Sequence, residues 1–175
     1  NMPTGGDERH VLMLVGVVSD THNNSRNIEN IIAIFNRENV NLVIHTGDIT
    51  QPSSLRKFSA LNCHFCGVLG NNDRNEPGLM DVIKKEKFEF CEPPYLIHVA
   101  NRKIVIFHEP DDIDDFMLSN KDLDLVLHGH THRYRNETIG KTLIFNPGES
   151  AGILNGKNSV GIINLENLNA QRLFF

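Results

Sequence analysis

Apolar positions along the chain follow two rhythms, and the change between them divides it. Residues 11–18 (VLMLVGVV) are continuously apolar and rich in valine, the pattern of a strand covered on both faces. The run breaks at Ser19-Asp20-Thr21-His22. Ile28, Ile31, Ile32 and Phe35 then recur at helical spacing, with Ser25 or a neighbouring Asn as N-cap, which predicts an amphipathic helix over 25–38. Residues 42–45 predict a second strand, ending in Thr46-Gly47-Asp48, and Pro52 with Ser53 and Ser54 opens a helix running to about Leu61. Residues 65–69 predict a third strand, ending in Gly70-Asn71-Asn72-Asp73, and Leu79, Val82 and Ile83 a helix that stops before Lys87.

Beyond that point the strands shorten and crowd together. Residues 95–99, 103–108, 123–128, 134–138, 142–145, 159–165 and 170–175 read as strands, with one helix over 113–119. Asn101-Arg102, Ile139-Gly140-Lys141 and Asn155-Gly156-Lys157 separate them as hairpin turns do. Parallel strand-helix units feeding a more antiparallel half predict an α/β fold, a two-sheet β-sandwich flanked by helices. At roughly 150 residues per domain, the 175 residues predict one domain over 10–175 behind a flexible leader at 1–9.

Composition narrows the classes. Hydrophobic residues at 39% and charged residues at 22% are globular values that exclude a disordered or coiled-coil chain. No apolar run nears the roughly 18 residues that cross a bilayer, and the start lacks a signal-peptide layout, so the expectation is a cytoplasmic protein with no membrane partner. The net charge of −5 argues against bulk nucleic-acid binding. Three cysteines, Cys63, Cys66 and Cys91, are an odd number in such a chain and read as free thiols. Cys63-x-x-Cys66 lies in an apolar, strand-like run, which favours buried structural thiols over a redox or zinc half-site.

Chemistry gathers where predicted strands end, the edge at which open α/β sheets bind ligands. Asp20 and His22 are two residues apart and in extended geometry share one side. Asp48 follows a glycine that permits a sharp turn, and its two oxygens can bridge two cations. Asn71 adds an amide oxygen, His108 an imidazole, and His130 and His132 a second i, i+2 pair. Seven mixed oxygen and nitrogen donors exceed a tetrahedral zinc site and suit two ions of Mn, Fe, Zn, Co or Ni. Such a pair, sharing a carboxylate and a water, makes a hydrolytic site for phosphoryl groups.

Asp20-x-His22, Gly47-Asp48, Gly70-Asn71-x-Asp73, His108 and Gly129-His130-Thr131-His132, in this order, resemble the calcineurin-like metallophosphoesterases over almost the whole domain. The short length, Gly-Asn-Asn-Asp and Asn146-Pro147-Gly148 are most similar to the small bacterial and archaeal phosphodiesterase branch. The resemblance implies that Asp20, His22, Asp48 and His132 hold one divalent ion and Asp48, Asn71, His108 and His130 the other, Mn first among the candidates. It implies a phosphodiesterase acting on a small diester through a metal-bridging hydroxide, with Asn71, Asn72 and His108 at the catalytic positions and no covalent intermediate. The alternative is a non-catalytic scaffold of the same fold, for which lost ligands would be expected, and a homo-oligomer is left open.

The chain departs from the larger members' Gly-Asn-His-Asp or Gly-Asn-His-Glu, whose histidine can assist the leaving group: here the position is Asn72, which favours good leaving groups. Glu109 and Pro110 stand where many relatives place glycine, and Asp111, Asp112, Asp114 and Asp115 follow as a helix-start cluster. His45 and His128 precede ligand motifs and are candidates to orient them, with packing as the other reading. Asp73 either braces its loop or orients His22, and Arg74 either contacts phosphate or is paired on the surface. Asn146-Pro147-Gly148 reads as a turn supporting the histidine loop. His10, His64 and His98 stay outside the site.

Overall fold

The continuity of the first apolar run has a direct structural cause: residues on both faces of that strand are buried. In the computed structural model, which describes residues 12–153 and 156–175, β1 (Leu14–Val18) sends Val15 and Val17 towards a second sheet and Val18 towards helices. The expected leader 1–9, His10, Val11 and Asn155 lie outside the described residues. The chain continues through α1 (Ser25–Arg37), β2 (Leu42–His45) and α2 (Pro52–Lys57) with a 3-10 turn (Phe58–Ala60). Next come β3 (His64–Val68), α3 (Leu79–Glu86), β4 (Glu89–Cys91), β5 (Tyr95–Val99), β6 (Arg102–Ile106) and α4 (Ile113–Ser119). It closes with β7 (Leu125–Leu127), β8 (Arg135–Ile139), β9 (Thr142–Asn146), β10 (Ser159–Asn164) and β11 (Asn169–Phe174).

The strands form a six-stranded sheet, β11-β10-β1-β2-β3-β4, and a five-stranded sheet, β5-β6-β7-β9-β8. In the first, β1 to β4 are parallel and β10 runs antiparallel to β1; in the second, β6, β7 and β9 are parallel between antiparallel edges. Val15, Val17, Ile44 and Val68 interdigitate with Ile104, Ile106, Leu125, Leu127 and Phe145 to make the inter-sheet core. Ile28, Ile31 and Phe35 of α1, with Leu55, Leu79 and Val82, cover the outer face of the first sheet, and Ile113 of α4 covers the second. The result is the two-sheet sandwich flanked by helices that the patterning predicts.

Two local differences have physical reasons. The second helix tightens into the 3-10 turn because Phe58 turns inward to stack on Phe65, ring centroids 4.5 Å apart. Strand β4 is absent from the sequence reading because three residues carry no measurable period. The functional consequence of the topology is that β1, β2, β3, β6 and β7 all end at the same rim of the sandwich.

Candidate active site

That rim collects the donors one loop at a time: Asp20 and His22 after β1, Asp48 after β2, Asn71 after β3, His108 after β6, His130 and His132 after β7. Five of these seven are non-glycine residues in the left-handed region, with φ of 52° at Asp20, 45° at His22, 64° at Asp48, 67° at His130 and 59° at His132. Such backbone costs energy and clusters where a side chain must be aimed for function. The assumption that Asp20 and His22 lie on an extended segment is therefore corrected: the turns do the aiming.

The residues fall into two groups. Ligand atoms of Asp20, His22 and His132 lie within 4.8 Å of one another, and so do those of Asp48, His108 and His130. Asp48 links them, its Oδ2 being 3.9 Å from His22 Nε2 and 3.4 Å from His108 Nε2. His108 Nδ1 donates to the Thr46 carbonyl at 2.8 Å, which turns Nε2 towards Asn71 Oδ1 at 2.8 Å and the Asp48 carboxylate. Asp20 Oδ2 accepts from Ser19 Oγ at 2.5 Å and from the His130 amide at 3.0 Å, tying the two sheets together.

Charge is concentrated here. Burial alone would raise both carboxyls; for Asp20 the nearby His132 imidazole and the hydrogen bond from Ser19 prevail, and for Asp48 the nearby His108 imidazole and the hydrogen bonds from Asn72, so both stay ionised below their usual range. The Asp20 carboxylate 3.4 Å away lifts His132 above an ordinary imidazole; His108 is lifted too, Asp48 overcoming burial. One atom is left over: Asp20 Oδ1 is fully buried with no hydrogen-bond partner and lies 3.4 Å from His132 Nε2. An orphaned anionic oxygen beside two imidazoles fits a divalent cation.

The supporting residues fall as follows. Asp73 braces its loop, accepting from the backbone amides of Asp48, Ile49, Thr50 and Gly70 at 2.6–3.0 Å. Asn72 turns to Asp48, its amide N–H reaching Oδ1 at 3.0 Å and its Nδ2 reaching Oδ2 at 2.9 Å. His45 is fully buried, accepts from Gly47 N at Nδ1 and meets Thr21 Oγ1 at Nε2, and burial pushes its pKa to about 3. It thus joins the two loops carrying Asp20 and Asp48. His128, buried and lowered by desolvation, faces Arg135, while Arg74 pairs with Glu92 on the surface at 3.0 Å. Asn146 donates to Gly129 O and Thr131 Oγ1, holding the histidine loop. His64 and His98 are exposed on β3 and β5. All three cysteines are free thiols, and burial pushes Cys66 up to about 12.

Sequence reasoning missed Ser19 and Glu149. The latter is buried, accepts from the amides of Ala151 and Gly152, and shapes a loop whose carbonyls receive Asn24 and Asn27 at the start of α1. Neither carries a spacing signal; only burial marks them, Ser19 against Asp20 and Glu149 within the loop that meets α1.

A two-sheet sandwich with paired His and carboxylate clusters on one rim defines a metal-dependent phosphoesterase. The calcineurin-like phosphoesterase superfamily domain matches residues 13–168, and the chain belongs to that family. It is 33% identical over 156 residues to phosphodiesterase MJ0936 of Methanocaldococcus jannaschii, covering 88% of this chain and 94% of that protein. A solved structure of a novel archaeal phosphodiesterase superposes with a TM-score of 0.85 at 30% identity, covering 93% of this chain and all of the other. The zinc complex of Vps29 from Entamoeba histolytica shares the fold at a TM-score of 0.67 and 17% identity, covering 93% and 99%. Divalent-metal dependence goes with this family.

Proposed function

We propose that the chain is a dinuclear metal-dependent phosphodiesterase. The observation that carries the reading is the pair of donor groups joined through Asp48, next to the buried unpartnered Oδ1 of Asp20. Asp20, His22, Asp48 and His132 would hold one cation, and Asp48, Asn71, His108 and His130 the other. Two bound divalent ions would supply an acidified water and positive charge for the phosphoryl oxygens. The protein's own part is positional. Asp48 is fixed from both oxygens by Asn72, Asp73 anchors the backbone on either side of it, and Thr46 sets the His108 ring.

Asn72 bears on the substrate. Its amide is committed to Asp48 and it cannot donate a proton at neutral pH, so departure of a poor leaving group is unassisted from this position. A diester with a good leaving group fits this site better than a phosphoprotein. The named activity of the archaeal relative points the same way. Mixed carboxylate, amide and imidazole ligation suits Mn, Fe, Zn, Co and Ni, and manganese is our choice among them because the oxygens of Asp20, Asp48 and Asn71 favour it. We place the protein in the cytoplasm on its free thiols; no helix among the described residues is long and apolar enough to cross a membrane.

The test compares a p-nitrophenyl phosphodiester, the matching monoester and a phosphopeptide, after stripping the protein and adding back Mn, Ni, Co, Zn or Mg. Diester turnover restored by metal, well above the other two substrates, is expected. Preference for the phosphopeptide would overturn the reading, and metal binding with no turnover of any substrate would return the protein to a scaffold role.

A further inference from the structure

Beside the metal rim lies a cavity of about 490 Å³, lined by Pro110, His128, Thr131, Arg133, Tyr134 and Arg135. That is within the size of small-molecule sites, roughly 300–1,000 Å³. It shares two of the five loops that carry the donors. Pro110 is two residues beyond His108, and Thr131 stands between His130 and His132.

Its walls are built. His128, only 2% exposed, presents Nε2 to Arg135 at 3.4 Å while its Nδ1 faces the Gly129 carbonyl at 3.1 Å. Since arginine only donates, His128 accepts at Nε2 as the neutral tautomer. Glu137 holds the other side of the Arg135 guanidinium at 2.8 and 2.9 Å. Tyr134 is fixed against Phe145, centroids 5.6 Å apart, with the Arg172 guanidinium 4.3 Å above its ring. Arg133 differs: among the described residues no carboxylate pairs with its guanidinium, and only its backbone amide is engaged, on Thr131 Oγ1. Arg133 therefore brings an unpaired cation to the cavity lining, and Arg135, its charge shared with Glu137, brings further N–H donors, the kind of groups that receive an anion.

Building on the phosphodiesterase reading, we propose that this cavity is a subsite for a second anionic group of the substrate. The substrate class becomes a small phosphodiester that carries a further phosphate or carboxylate on one ester substituent. The acidic residues that follow Pro110, Asp111 and Asp112, are exposed and would repel a long polyanion, which limits the ligand to a small molecule.

The experiment uses the manganese-loaded protein and three esters: the p-nitrophenyl ester of a thymidine phosphate, the same compound with a second phosphate on the sugar, and an analogue bearing a carboxylate there. The wild type is expected to show a KM about tenfold lower with the additional anion at similar kcat, the better of the two anions naming the group. Arg133→Gln is expected to erase that difference for the esters with the additional anion, and Arg133→Lys to restore part of it. Equal KM with and without the additional anion in the wild type, or an Arg133→Gln effect of the same size on all three esters, would overturn the subsite. If the metal-loaded wild type cleaved none of the three, the phosphodiesterase reading would fail and the subsite with it.

Discussion

Asp48 is the residue on which the site's geometry converges. It contributes to one donor group, lies within 3.9 Å of a histidine of the other, sits at φ 64°, and has both carboxylate oxygens bonded by Asn72. A β-carbon on Gly70 would lie 2.1 Å from its Oδ1, so even the neighbouring loop is shaped to leave the carboxylate room. Replacing the charge while keeping the shape isolates its role. Asp48→Asn is expected to lower kcat more than about 100-fold and to reduce bound metal to at most one ion per chain. Turnover with manganese, metal analysis and circular dichroism for folding check this together, and a folded variant keeping most of its turnover would rule out a shared carboxylate.

At the scale of elements, the site is made by loops that the strands merely deliver, and the loops are held by side chains accepting backbone amides. Asp73 is the main clasp, joining the loop after β3 to the loop after β2 through four amides. Asp73→Ala would orphan these buried donors and is expected to cost about 3 kcal/mol, read as a lower urea midpoint, with weaker manganese binding. An unchanged midpoint would mean that the loops are held by something else. Much of this scale was legible in the sequence. Strands β1 and β2 and helix α1 follow from continuous apolar runs and helical spacing, and the seven candidate donors were visible as polar punctuation at strand ends. What was not legible is conformational: nothing in Asp-x-His announces two left-handed residues, and Glu149 reads as an ordinary loop carboxylate until its burial is seen. Those features depend on contacts between the sheets, which no local pattern records.

For the whole molecule, burying imidazoles beneath a charged rim links folding to pH. His45, with a folded pKa of about 3, is neutral where an unfolded histidine, near 6.5, would be charged. Below pH 6.5 the unfolded chain therefore takes up a proton that the folded chain refuses, and stability falls as pH drops towards 3. His128 adds in the same direction, as do Asp20 and Asp48 once the pH nears the carboxylate range, whereas His108 and His132, raised by their carboxylates, oppose it near neutrality. Metal-free protein is expected to have a lower urea midpoint at pH 5 than at pH 7.5, and His45→Asn to show a smaller difference between the two. An equal difference in both proteins would show that His45 is not the group responsible.

In the proposed mechanism two cations, held by both donor groups, together make the catalytic unit. The most direct measurement titrates metal-stripped protein with manganese and follows diester turnover against equivalents added. No turnover is expected without metal, and a rise that becomes complete at two equivalents per chain. Turnover by the stripped protein, or full activity at one equivalent, would contradict it.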